Sequence, residues 1–150
     1  MKIIFKKDTA SRSVSFRAKN KFYFINKKIK DKLIKLSCNE KISRFCLNMN
    51  KNDKLNQMLI FQKKGYVSEI KKNYKKDKSY INISGEQIIK IYNKSGKAIS
   101  KNFLNKKNFI FWIPRNTWHN NQTISKNSFH IESISGPFKR KADRKYLNKK

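Results

Sequence analysis

From Gln57 onward the chain is cut into short runs rich in Ile, Phe and Tyr, each closed by turn residues, and this rhythm limits the fold more than any other feature. The run "QMLIFQ" ends at Lys63-Lys64-Gly65, "YVSEI" enters the polar "KKNYKKDK", "SYINIS" meets Gly85, and "EQIIKIY" meets Asn93-Lys94-Ser95-Gly96. "KAISKNF", "FIFWI", "TWHNNQTI" and "NSFHIESI" complete eight candidate strands. Short strands at this spacing predict a sandwich or jelly roll. A parallel α/β sheet needs helices between its strands, and no helical period separates these runs.

One helix precedes them. In "INKKIKDKLIKLS", residues 25–37, the apolar Ile25, Ile29, Leu33, Ile34 and Leu36 recur at helical spacing, which predicts a short amphipathic helix laid on a sheet. Residues 1–21 are basic with weak periodicity and read as a loosely ordered extension, with the main domain over 22–150 and its barrel over about 57–136. Gly136-Pro137 turns the chain into a tail, 137–150, expected to be exposed unless Phe138, Tyr146 and Leu147 pin it. At 150 residues, such a chain buries a core without disulfides or a structural metal.

The net charge of +29 raises the question of a polyanionic partner. Lys outnumbers Arg 32 to 6, however, and Lys, Asn and Ile dominate in the manner of an A+T-rich coding bias. Arg, which reads phosphates and base edges in bidentate fashion, is scarce, so a solvated lysine surface is the expectation and a nucleic-acid partner is not. Cys38 and Cys46 are too far apart for a CxxC site and read as free thiols of a reducing cytoplasm. Lys2, Lys6, Lys7 and Asp8 interrupt any apolar leader, and no run reaches membrane-spanning length. The expectation is a cytoplasmic protein without membrane insertion.

Two segments carry the functional signal: Gly65 to Gly85, and Pro114 to His119 in "FWIPRNTWHNN". Their order and turn residues resemble the two motifs of the cupin superfamily, G-x5-HxH-x(3 or 4)-E-x6-G and PxGxxH. In "PRNTWH", Asn116 stands for the motif's glycine, a residue type that tolerates the left-handed turn, and His119 takes the ligand position. The stretches "SRFCLNMNKNDKLNQMLI", "IPRNTWHN" and "ESISGPF" further resemble the small WbuC-type cupins of bacterial surface-polysaccharide (O-antigen) gene clusters, over residues 25–147. That resemblance implies an all-β, RmlC-like jelly-roll barrel, often a homodimer, with a His, His, Glu, His metal set facing the interior.

The chain departs from that set. One register puts Ile70 and Lys72 at the two histidine positions of the first motif; the other puts Lys71 and Asn73 there. Counting back from Gly85 puts Lys78 at the glutamate. Only His119 is retained, since Glu69 shares a face with Lys71 and alternation does not by itself turn His130 inward, and no metal or other cofactor is expected. His119 then reads either as a barrel histidine bonded to Thr117 or Asn121, or as a general base oriented by Glu132. Phe109, Phe111, Trp112 and Trp118 read as core or as a stacking floor for a ring, and Tyr66, Tyr80 and Tyr92 as hydroxyls for a wet cavity. The expected function is binding of a small, sugar-derived, anionic ligand by His119, Lys71, Lys72, Lys78, Tyr80 and Asn121. A metal-free sugar-nucleotide isomerase or epimerase using His119 and Glu132, and a non-enzymatic polyanion binder, are the alternatives.

Overall fold

The computed structural model describes residues 5–7, 13–37, 40–50 and 52–147. Cys38 and the remainder of the expected N-terminal extension lie outside them. Among the described residues, twelve strands form two sheets that face one another as a jelly roll. The larger sheet has the order β1 (Phe5–Lys7), β2 (Val14–Ala18), β3 (Ile42–Cys46), β4 (Leu55–Lys63), β11 (Asn127–Ser135), β6 (Lys78–Ser84), β9 (Ile110–Ile113). The smaller runs β12 (Arg144–Tyr146), β5 (Lys71–Asn73), β10 (Trp118–Thr123), β7 (Gln87–Tyr92), β8 (Ala98–Leu104). Every pairing is antiparallel except β2 with β3.

Helix α1 (Lys27–Leu36) starts at Asn26, whose side chain accepts a hydrogen bond from Ile29 N, and ends at Ser37. Of its apolar stripe only Ile29 and Leu33, one turn apart, are buried. They cover the outer face of the larger sheet in a cluster with Ala18, Phe45, Leu59, Phe61 and Phe129. Ser43 Oγ donates to Leu33 O at 2.7 Å and fastens the helix to β3. A second apolar cluster, Tyr80, Ile89, Leu104 and Ile113, lies between the sheets.

Three expectations need correction. Residues 5–7 and 14–18 are not a loose extension: β1 and β2 extend the larger sheet, and Phe5 and Phe16 pack against the helix-covered cluster. The tail after Gly136-Pro137 is not simply exposed. It forms a short helix, α2 (Arg140–Asp143), and then β12, which pairs with β5. Gly136 is required where the tail departs, because a Cβ there would meet Asp53 O at 1.8 Å. Finally, "YVSEI" contributes only a bridge from Val67 to Gln122, whereas the "KKN" of the polar stretch beyond it is a strand.

Candidate functional site

Strand alternation decides which side chains enter the barrel. On β10, His119 lies across from Lys71 of β5 and Ile91 of β7, and Asn121 across from Ile89. Lys71 and Asn73 are therefore the inward residues of β5, which selects one of the two registers the sequence allowed. Lys72 faces outward, donates to Asn116 Oδ1 at 2.6 Å and sits 4.8 Å over the Trp118 ring. Asn116 itself has φ 61°, the left-handed turn that its place in the motif calls for. From the larger sheet, β11 sends in His130, Glu132 and Ile134, β6 sends in Lys78 and Tyr80, and β3 sends in Arg44.

Much of this interior is polar. The Asn121 amide donates to Gln62 Oε1 at 2.9 Å and to Gln87 Oε1 at 3.0 Å, and Thr123 Oγ1 also donates to Gln62 Oε1. Gln87 Nε2 in turn donates to Ser128 Oγ and to His130 Nδ1, at 2.7 and 2.6 Å. With both amide hydrogens committed, Asn121 is a strut of the barrel. His130 accepts at Nδ1 and so carries its proton on Nε2; burial drives its pKa down to about 3 and keeps the ring neutral.

His119 is buried, and its Nδ1–H donates to Thr117 O at 2.9 Å. That bond fixes the tautomer and leaves Nε2 with a lone pair and no hydrogen-bond partner. Burial, reinforced by the charges of Lys78 and Lys71, holds the imidazole well below its usual pKa. Glu132 does not orient it. That carboxylate lies 3.1 Å from Lys78 Nζ and 3.8 Å from Arg144 Nη2. Burial by itself would raise the Glu132 carboxyl, but Lys78, Lys71 and Arg144 outweigh it and hold the group well below the carboxylate range. Lys78, also in reach of Tyr80 Oη at 3.3 Å, is brought down to about 8 by burial, against the pull of Glu132.

The ligand positions do not fit a divalent metal. They hold two lysines, an amide and one imidazole, and among the described residues no three His, Cys, Asp or Glu side chains converge.

The open space lies beside these groups, in a cavity of about 360 Å³ between β2, β3, β4, β11 and the tail segment. Arg17, Arg44, Lys71, Arg140, Lys141 and Arg144 line it, with Glu132 as the single carboxylate among the described residues that do so. A second space of about 250 Å³ shares Arg44, Lys71, Arg140 and Arg144 and adds Tyr66, Tyr146 and the carboxylates Glu40 and Glu69. Four of the chain's six arginines thus meet in one place. The tail that brings two of them is tied down by Lys76, 3.1 Å from Asp143 and also bonded to Pro137 O. Arg17 donates to Asn48 O at 2.8 Å, and Arg144 to Asn73 Oδ1 at 3.4 Å.

Of the expected ligand contacts, Lys71 lines both spaces, Lys78 and Tyr80 are buried behind Glu132, and Lys72 and Asn121 point elsewhere. The stacking floor, the alternative to core packing for these aromatics, does not form. Trp118 is on the outer face, Phe109 and Trp112 are exposed near the β9 edge, and Phe111 packs against the second cluster. Tyr66 lines the second space, whereas the Tyr92 hydroxyl donates to Asn120. Sequence reasoning missed all four arginines. The available signal was their persistence as arginine in a chain where lysine fills nearly every other basic position.

No family model and no curated protein matches the chain. Solved structures do. The capsular polysaccharide assembling protein CapF of Staphylococcus aureus aligns with a TM-score of 0.58 and 15% identity, over 71% of this chain and 29% of that one. KdgF from Halomonas sp. gives 0.52 and 17%, over 69% of this chain and 86% of that one. Oxalate decarboxylase from Bacillus subtilis gives 0.54 and 15%, over 64% and 24%. The chain spans about a third of the length of the CapF structures. All three are cupin-fold proteins, and the fold of this chain is the cupin jelly roll.

Proposed function

We propose that this chain is a WbuC-type cupin of bacterial surface-polysaccharide metabolism which, without a metal, binds a small sugar-derived ligand through the ligand's carboxylate or phosphate. The observation that carries this reading is the convergence of four of six arginines on a cavity with one carboxylate, itself already engaged by Lys78 and Arg144. Guanidinium groups match planar anions in bidentate fashion, and an anionic guest in the larger space would meet several of them at once. The likeness to a capsular polysaccharide assembling protein supports the sugar half of the reading.

The test is calorimetric titration of the purified chain with D-glucuronate and with D-glucose. Binding of the acid with at least tenfold preference supports the reading; equal affinities overturn it. The rival, a lysine-surface polyanion binder, predicts instead a steep loss of heparin affinity with added salt and no uronate binding.

A further inference from the structure

Lys71 stands apart from the other 31 lysines of the chain. Its side chain lines both interior spaces, and its Nζ makes no hydrogen bond or ion pair with another described residue. The nearby Glu132 carboxylate is taken by Lys78, and the remaining charges acting on Lys71 come from Lys78, Arg144 and Arg44. Across the strand pair is His119, whose ring is neutral and whose Nε2 lone pair has no partner. Directly opposed side chains in such a pair start about 4.5 to 5.5 Å apart at Cβ. An amine open to a cavity, guanidinium groups around it and an unengaged base across from it together form a carbonyl-capturing arrangement.

We propose that the Lys71 amine condenses with the carbonyl carbon of a ligand that carries a carboxylate beside that carbonyl, forming an imine. The inference rests on the anion-binding reading of the same cavity and names the functional group next to the anion. Arg44 and Arg144 hold the carboxylate, which sets the adjacent carbonyl carbon against Nζ. The nitrogen lone pair makes the C–N bond as the carbonyl π pair moves to oxygen, giving a carbinolamine after proton transfer from nitrogen to oxygen. His119 Nε2 then takes the second proton from nitrogen and delivers it to the hydroxyl, which leaves as water while the nitrogen electron pair completes the C=N bond, so one amine and one carbonyl give one imine and one water. The chemistry needs an uncharged amine at neutral pH. Burial first, and the neighbouring Lys78 and Arg144 charges second, hold the Lys71 amine well below the usual lysine range.

The other lysines serve as an internal control. The full chain is incubated at pH 7 with pyruvate and sodium cyanoborohydride, and the reduced adducts are located by peptide mapping; acetaldehyde, which lacks the carboxylate, is run in parallel. The expected result is one dominant pyruvate adduct at Lys71, at least tenfold above any other lysine, with a smaller preference for Lys71 in the acetaldehyde reaction. In Arg44→Ala the pyruvate labelling of Lys71 falls at least tenfold while acetaldehyde labelling holds. Pyruvate adducts spread evenly over the lysines, or none at Lys71, would overturn the proposal. If labelling fails yet D-glucuronate still binds in an Arg44-dependent way, the imine is wrong and the anion site stands. If both fail, the anion site falls with it.

Discussion

The two faces of the larger sheet are made from the same strands and do opposite things. On β3, Ser43 and Phe45 face α1, while Arg44 between them faces the cavity; on β2, Phe16 looks to the helix and Ser15 and Arg17 look inward. Outward lie Phe45, Leu59, Phe61 and Phe129 under Ile29 and Leu33; inward lie arginines, Glu132 and a hydrogen-bonded web. The helix-covered face supplies apolar burial that a jelly roll ordinarily draws from between its sheets. The lesson is a division of labour: apolar packing outside leaves part of the barrel interior to charge.

The comparison breaks first if its apolar side is not the stabilising one. Phe61 is fully buried, so Phe61→Ala should cost about 3 to 5 kcal/mol in denaturant unfolding, with D-glucuronate affinity unchanged in the folded fraction. A loss below about 1 kcal/mol would refute that role. Next comes the buried pair of the other face. Glu132→Gln strands the Lys78 charge and should cost about 3 kcal/mol, while Lys78→Met added to it should recover most of the loss. No recovery in the double variant would show that Glu132 stabilises through something other than Lys78.

A smaller effect separates binding from stability. Arg44→Ala should weaken D-glucuronate binding tenfold to a hundredfold, the equivalent of about 1.5 to 3 kcal/mol for charge-assisted bonds, with unfolding free energy within about 1 kcal/mol of the parent. The smallest effect is acid sensitivity. His119 and His130 are held neutral in the folded chain, by burial above all, and His130 takes up its proton only near pH 3. The unfolded chain protonates both near their usual value, so it binds more protons below about pH 6.5 and stability falls as pH falls. Each histidine contributes up to about 1.4 kcal/mol per pH unit. Thermal melts from pH 7 to pH 5 should show this slope, to which the buried Lys71 amine adds in the same direction, and His130→Gln should reduce it.

The difference between the two faces also explains what could be read from the sequence. The helix and the longer strands were legible because apolar residues repeat at 3.6 or 2 residues, and Asn116 and Gly136 mark turns with stereochemical demands. β5 and β12, "KKN" and "RKY", were not, since three residues, mostly charged, carry no period and become strands only by pairing with each other and with β10. Lys71 was identifiable as a candidate, but its direction hung on a one-residue register that only the pairing with His119 decides. The arginines come from β2, β3, α2 and β12, two near the start of the chain and two near its end, and no local pattern brings them together.

Arginine side-chain NMR tests the central claim most directly, because six arginines give six Nε–H correlations and four of them belong to the cavity. Titration with D-glucuronate should shift the signals of Arg44 and Arg144 most, then those of Arg140 and Arg17, in saturable fashion with one common affinity. Arg115, on the exposed turn where its backbone N–H donates to Asp77, should stay in place. Equal, unsaturable movement of Arg115 and Arg44 would mean that the anion meets only a basic surface, and the account of a charged, ligand-receiving interior would be contradicted.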